Sequence, residues 1–152
     1  MTYLCHTCSM PEESPTIETR EEVMFFDTDI GGVVHNIAYL RMIETARTRL
    51  AANMGMRLKE MATTQVYPVV VRTEIDYRKS ATLGDHLIIS GRLERVERVR
   101  FWMAFEVRRA GEEAVLITCR QALALVQMPQ AKPLRLPAEW AEKYAELFLK
   151  KA

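Results

Sequence analysis

The chain reads as one α+β domain: an antiparallel sheet of five or six strands wrapped around one long central helix. Three observations carry that reading. Tyr39, Ile43, Ala46, Leu50 and Met54 recur at three- and four-residue steps, which lays a single apolar stripe along a helix. Four β-prone segments follow, at 66–77, 85–96, 100–109 and 114–128, joined by short turns. Strands linked by short turns pair antiparallel and leave one sheet face to be covered, and the one-sided helix is the natural cover.

Residues 1–17 lack apolar periodicity and are rich in Ser, Thr, Glu and Pro, so they are expected to form a loose lead-in to a single domain over 18–152. Glu21 to Asp27 is predicted as a strand through Val23, Phe25 and Phe26. Asp29-Ile30-Gly31-Gly32 breaks it, because adjacent glycines permit a sharp turn. The long helix then begins near Asn36, a candidate N-cap, and closes at Gly55 just past Met54. MRLKEMA, 56–62, suggests a short helical linker.

Val69, Val70, Val71 and Ile75 mark the first of the later strands, and Leu83-Gly84-Asp85 turns the chain into the second. In the third, Phe101, Met103, Phe105 and Val107 alternate with Trp102, Ala104, Glu106 and Arg108. Ala110 to Glu113 forms a hairpin turn, and Val115, Ile117, Cys119, Leu123 and Leu125 run along the fourth. Pro129, Pro133 and Pro137 bound a loop, and Ala138 to Lys150 reads as a C-terminal helix with Pro137 near its start. A sheet in this order around one helix is the hotdog architecture.

With 152 residues, about half of them apolar, the chain can bury a full core without a disulfide or metal staple. Lys plus Arg total 21 against 20 Asp plus Glu, so the basic balance of a nucleic-acid binder is absent. Three cysteines do not make a secreted disulfide framework, and no apolar run is long enough to span a bilayer. A cytoplasmic protein is expected. Cys5-His6-Thr7-Cys8 supplies too few ligands for a structural zinc site, so no metal and no other cofactor is expected.

The chemistry lies in DTDIGGVVHNIAYLRMIETAR, residues 27–47. An acid precedes a double-glycine turn that feeds into a helix. Helix N-termini offer unpaired N–H groups and partial positive charge, which can hold a carbonyl oxygen as negative charge grows on it. A carboxylate beside such a carbonyl suits acyl transfer to water.

This segment resembles the signature of the 4-hydroxybenzoyl-CoA thioesterase family, including the acyl-CoA thioesterases associated with the Tol-Pal system. The matching positions are Asp27, Asp29, Gly32, Val34, His35-Asn36, Tyr39, Glu44 and Arg47, with Leu83-Gly84-Asp85 as a second, weaker match. The likeness covers about residues 20–128. It implies an acyl-CoA thioesterase in which Asp29 attacks the thioester or activates water. The carbonyl-polarising N–H would lie near Asn36. Gly32, Val34 and Tyr39 would line the substrate, and basic residues such as Arg98 and Arg100 would grip the nucleotide phosphates of CoA. It further implies a homo-oligomer, dimer or tetramer, with active sites across subunits. Many relatives carry Tyr-His or Asn-Asn where this chain has His35-Asn36, and the proline often found upstream of the second motif is absent here.

Each residue also has a plainer reading. Asp29 suits a cap, and Asp27 suits an anchor for the turn backbone. Glu44 suits an ion pair with Arg41 or Arg47, although some related enzymes use a helix glutamate as the acid. His35 is either a water or acyl contact or simply a polar residue at a helix start. His86 is a surface residue, and the arginines around 92–109 suit a solvated face. Thioester hydrolysis on acyl carrier protein and non-catalytic acyl-CoA binding stay open as alternative functions.

Overall fold

A computed structural model describes residues 14–148. Its six strands are β1 (Thr16–Glu22), β2 (Val66–Tyr77), β3 (His86–Val96), β4 (Phe101–Arg109), β5 (Val115–Gln127) and β6 (Lys132–Leu134). They form one antiparallel sheet in the order β1-β3-β4-β5-β2, with β6 paired to β5. The helices are α1 (Asn36–Asn53), α2 (Leu58–Thr64) and α3 (Trp140–Lys143). This is the hotdog arrangement expected.

α1 is the cover. Tyr39, Met42, Ile43, Ala46 and Leu50 are buried against Leu87, Ile89, Leu93, Phe101, Met103, Phe105 and Ile117 of the sheet. The stripe faces the sheet because three- and four-residue spacing returns to one side of a helix. Gly55, at φ 94°, takes the left-handed position just past the C-cap Met54.

Four expectations are corrected. The first strand is Thr16–Glu22, not 21–27, and so begins within the stretch read as a lead-in. Its register from Thr16↔Arg92 to Glu22↔His86 is set by pairing with β3, which overrides the β propensity of Val23, Phe25 and Phe26. Residues 25–27 instead form a 3-10 turn that leaves both phenylalanines exposed. His35, not Asn36, is the N-cap of α1, since its Nδ1 accepts the Ala38 N–H at 3.2 Å. Lys132–Leu134, inside the expected proline loop, pairs with β5 from Leu125↔Leu134 to Gln127↔Lys132. The C-terminal helix is only α3 followed by a 3-10 turn at Ala145–Leu147. There Trp140 packs edge-on against Phe101 and Tyr144, at 5.2 and 5.5 Å, which fixes the segment by ring contacts rather than by helix length.

The alternation in β4 is incomplete in burial, because Trp102 and Ala104 on the outer face are buried too. The Arg95 and Arg120 guanidiniums lie 4.9 and 4.8 Å from the Trp102 ring and shield it from solvent. Cys5-His6-Thr7-Cys8 lies outside the described residues.

Candidate active site

Asp29 opens a tight hairpin between the 3-10 turn and α1. Its N–H donates to Val33 O at 2.9 Å, and its carbonyl accepts the Gly32 N–H at 3.0 Å. Gly32 sits at φ 73°, the left-handed geometry such a turn demands of its glycine. The Asp29 carboxylate accepts the Gly31 N–H through Oδ1 at 2.8 Å. Among the described residues, Oδ2 has no hydrogen-bond partner, and the side chain stands exposed.

The frame of this turn is backbone. Val34 N–H donates to Ala81 O at 2.9 Å, Val33 bridges Thr82, and Thr28 bridges Val34. The 78–85 loop behind it is clamped in turn. Asp85 Oδ2 accepts from the Thr82 N–H and Arg109 Nε, both at 2.8 Å, while Arg109 Nη2 donates to Ser80 O at 2.7 Å. The Arg109 guanidinium and the Thr82 N–H hold the Asp85 carboxyl below its usual range despite partial desolvation.

Tyr39 is buried in the core, and its hydroxyl accepts the Ala81 N–H at 2.8 Å. Burial raises its pKa, so the phenol stays protonated. Val34 is buried beneath the turn, while Gly32 is exposed on it. Asp27 is buried, accepts the Met24 N–H through Oδ2 at 3.0 Å, and faces Arg41 Nη2 at 3.4 Å.

Both ring nitrogens of His35 are engaged. Because Nδ1 accepts from Ala38, Nε2 carries the hydrogen, which points at Phe26 O at 3.4 Å. Asn36 occupies the first turn of α1. Its N–H and that of Ile37 have no acceptor among the described residues, so the helix start presents two open donors.

Two groups of expected residues lie elsewhere. Glu44 is two turns further along α1, about 12 Å by helical rise. It is 65% exposed at the side chain and paired with Arg47, not Arg41, at 3.6 Å. Arg98 and Arg100 occupy the β3–β4 turn. The Asp29 turn borders the opposite end of β3, a strand length of roughly 30 Å away. Arg100 pairs with Glu97 at 3.3 Å, and Arg98 is exposed with no ion pair among the described residues.

Sequence reasoning missed Arg41, Arg109 and Tyr77 as parts of this region. Their partners are distant in sequence, and only the Leu83-Gly84-Asp85 turn gave a local signal.

A single antiparallel sheet wrapped around one long helix defines a hotdog-fold protein. Residues 23–144 match the model of the thioesterase-like superfamily, and the chain belongs to that family. It is 30% identical over 118 residues to the acyl-CoA thioesterase YbgC of Haemophilus influenzae, spanning 77% of this chain and 85% of that one. Against a 1,4-dihydroxy-2-naphthoyl-CoA hydrolase of Synechocystis the identity is 23%, over 87% of this chain and 96% of that one. The crystal structure of a probable thioesterase from Bartonella henselae superposes with a TM-score of 0.73 at 28% identity, covering 80% of this chain and 99% of that chain.

Proposed function

We propose that this protein hydrolyses acyl-CoA thioesters to free acid and CoA, with Asp29 as the reacting carboxylate. The observation that carries the proposal is the exposed Asp29 carboxylate, with one oxygen unpartnered, on a turn leading into the two open N–H donors of α1. As general base, Asp29 takes a proton from water while the water oxygen bonds to the carbonyl carbon. The C–S bond then breaks, and the proton passes to the departing thiolate. As nucleophile, it forms a mixed anhydride with release of CoA, and water then cleaves the anhydride. Both routes build negative charge on the carbonyl oxygen, which the Asn36 and Ile37 N–H groups are suited to receive.

His35 holds the helix start in shape on this reading, and Tyr39, Val34 and Gly32 shape the floor and turn of the site. Glu44 is a supporting residue. Given their distance along β3, Arg98 and Arg100 would meet the CoA phosphates of a substrate bound at another subunit's Asp29.

A homo-oligomer, dimer or tetramer, with sites between subunits fits two exposed apolar sets. Phe25, Phe26, Ile30 and Ile37 surround the Asp29 turn, and Val69, Val70 and Val71 lie on the edge strand β2. Among the described residues, no helix is long and apolar enough to cross a membrane.

The deciding experiment is CoA release from acetyl, hexanoyl, palmitoyl, benzoyl and phenylacetyl thioesters by wild type and Asp29→Asn, with solution mass measured alongside. Turnover by wild type and a loss of about a hundredfold or more in the variant is expected. Full activity in Asp29→Asn would move the chemistry to Glu44, and no turnover on any CoA thioester would overturn the reading.

A further inference from the structure

Tyr77 ends the edge strand β2 beside the start of α1. Its phenol oxygen lies 3.5 Å from the Asn36 carbonyl oxygen, and its ring centroid lies 6.0 Å from that of Tyr39, tilted by 53°. Because the Tyr39 hydroxyl is tied to the Ala81 N–H, Tyr77 leans on a ring that is itself fixed. Yet Tyr77 remains 47% exposed. The bond to Asn36 is long, and its acceptor is a helix carbonyl that already serves the α1 ladder. The phenol proton is therefore held weakly and is free to be re-aimed at a better acceptor.

The neighbouring atoms suggest which acceptor. The Asn36 and Ile37 N–H groups, at the start of the same helix, have no acceptor among the described residues. A phenol on the flank of the same helical turn adds a neutral donor from a different element. Burial of Tyr77 raises its pKa above the ordinary value of 10.0, so the proton stays on at neutral pH.

We propose that Tyr77 is a further catalytic residue, whose phenol O–H donates to the thioester carbonyl oxygen and stabilises the oxyanion together with the α1 N–H groups. The proposal rests on the thioesterase reading of the Asp29 turn. No group is transferred in this step. The hydrogen bond swings from Asn36 O to the substrate oxygen and strengthens as charge develops there.

The test is Tyr77→Phe, which keeps the ring, assayed on thioesters of one acyl group with two thiols of different acidity. The expected result is a fall in kcat of about 100-fold or more, since losing one donor of an oxyanion hole is felt at the transition state. KM and the melting temperature should stay close to wild type, and the loss should be equal for both thiols. If the variant melts lower, kcat is read at a temperature where both proteins are folded. Retention of kcat within about twofold overturns the proposal. A loss that grows with the basicity of the departing thiolate also overturns it, because the proton would then be going to sulfur. Asp29→Asn run in parallel separates the two readings. An inactive Asp29→Asn beside a fully active Tyr77→Phe defeats the Tyr77 role alone, whereas an inactive wild type defeats both.

Discussion

Arg41 and Asp27 face each other at 3.4 Å across the seam between α1 and the turn that carries Asp29. The Asp27 carboxylate is buried, whereas the Arg41 side chain is 45% exposed and also reaches Glu21 at 3.4 Å. A buried carboxylate needs a donor or a cation, and Asp27 has both, in the Met24 N–H and Arg41. His35 N–H donates to the Asp27 carbonyl as well, so one residue ties the 3-10 turn to the start of the helix.

Replacing Arg41 with Met should therefore cost more than an ordinary surface pair. With the partial exposure of Arg41 discounted, about 1–2 kcal/mol is expected in urea unfolding. Arg41→Lys should recover part of it. Activity should fall through kcat, because the turn loses its anchor while the pocket walls remain.

Tyr39→Phe separates a structural from a substrate-contacting role for Tyr39. Its hydroxyl is the acceptor for a buried backbone N–H, at Ala81. Removing it should destabilise the protein by about 1–3 kcal/mol, the cost of an unpaired buried donor. A variant that melts like wild type but binds substrate poorly would reverse the assignment.

Gly91→Ala should be destabilising for a steric reason. A Cβ at Gly91 would lie 2.7 and 2.8 Å from two Phe105 ring carbons and 3.0 Å from Ile17 Cγ2. The ring is fully buried and has little room to retreat. About 1–3 kcal/mol of overpacking is expected in chemical denaturation. Shortening the ring with Phe105→Leu in the Gly91→Ala background should cost less than it does in wild type.

Cys119 is buried in β5, and burial pushes its thiol from 9.0 up to about 12 despite the opposing charge of Arg47. Alkylation at pH 8 followed by peptide mapping should leave Cys119 unmodified in the native protein and modified after denaturation. The raised value also has a sign for stability. Above pH about 9 the unfolded chain releases this proton while the folded chain keeps it to about 12, so stability falls as pH rises across that window. Cys119→Ala should show a shallower decline in melting temperature between pH 9 and 11 than wild type.

β2 to β5 were legible almost to the residue, because long β-prone segments separated by short turns admit few other pairings. β1 was not. Thr16 to Glu22 contains one large apolar residue, Ile17, and becomes a strand only because β3 offers a partner. The Asp29 turn was visible from its two glycines. The contacts that support it were not, since Arg41 meets Asp27 from 14 residues away and Tyr77 meets Asn36 from 41. The N-cap slipped by one residue because an imidazole and a carboxamide can both accept a backbone N–H, and only the fold chooses between them.

The turn bearing Asp29 is fastened to Ala81, Thr82 and Leu83 by main-chain bonds alone. Main-chain bonds are indifferent to side-chain identity, so within one subunit this part of the frame does not depend on which side chains the turn carries. The architecture thus separates two parts: a main-chain mount for the Asp29 turn, and a rim of exposed side chains around it. Substitution on that rim would leave these main-chain bonds in place.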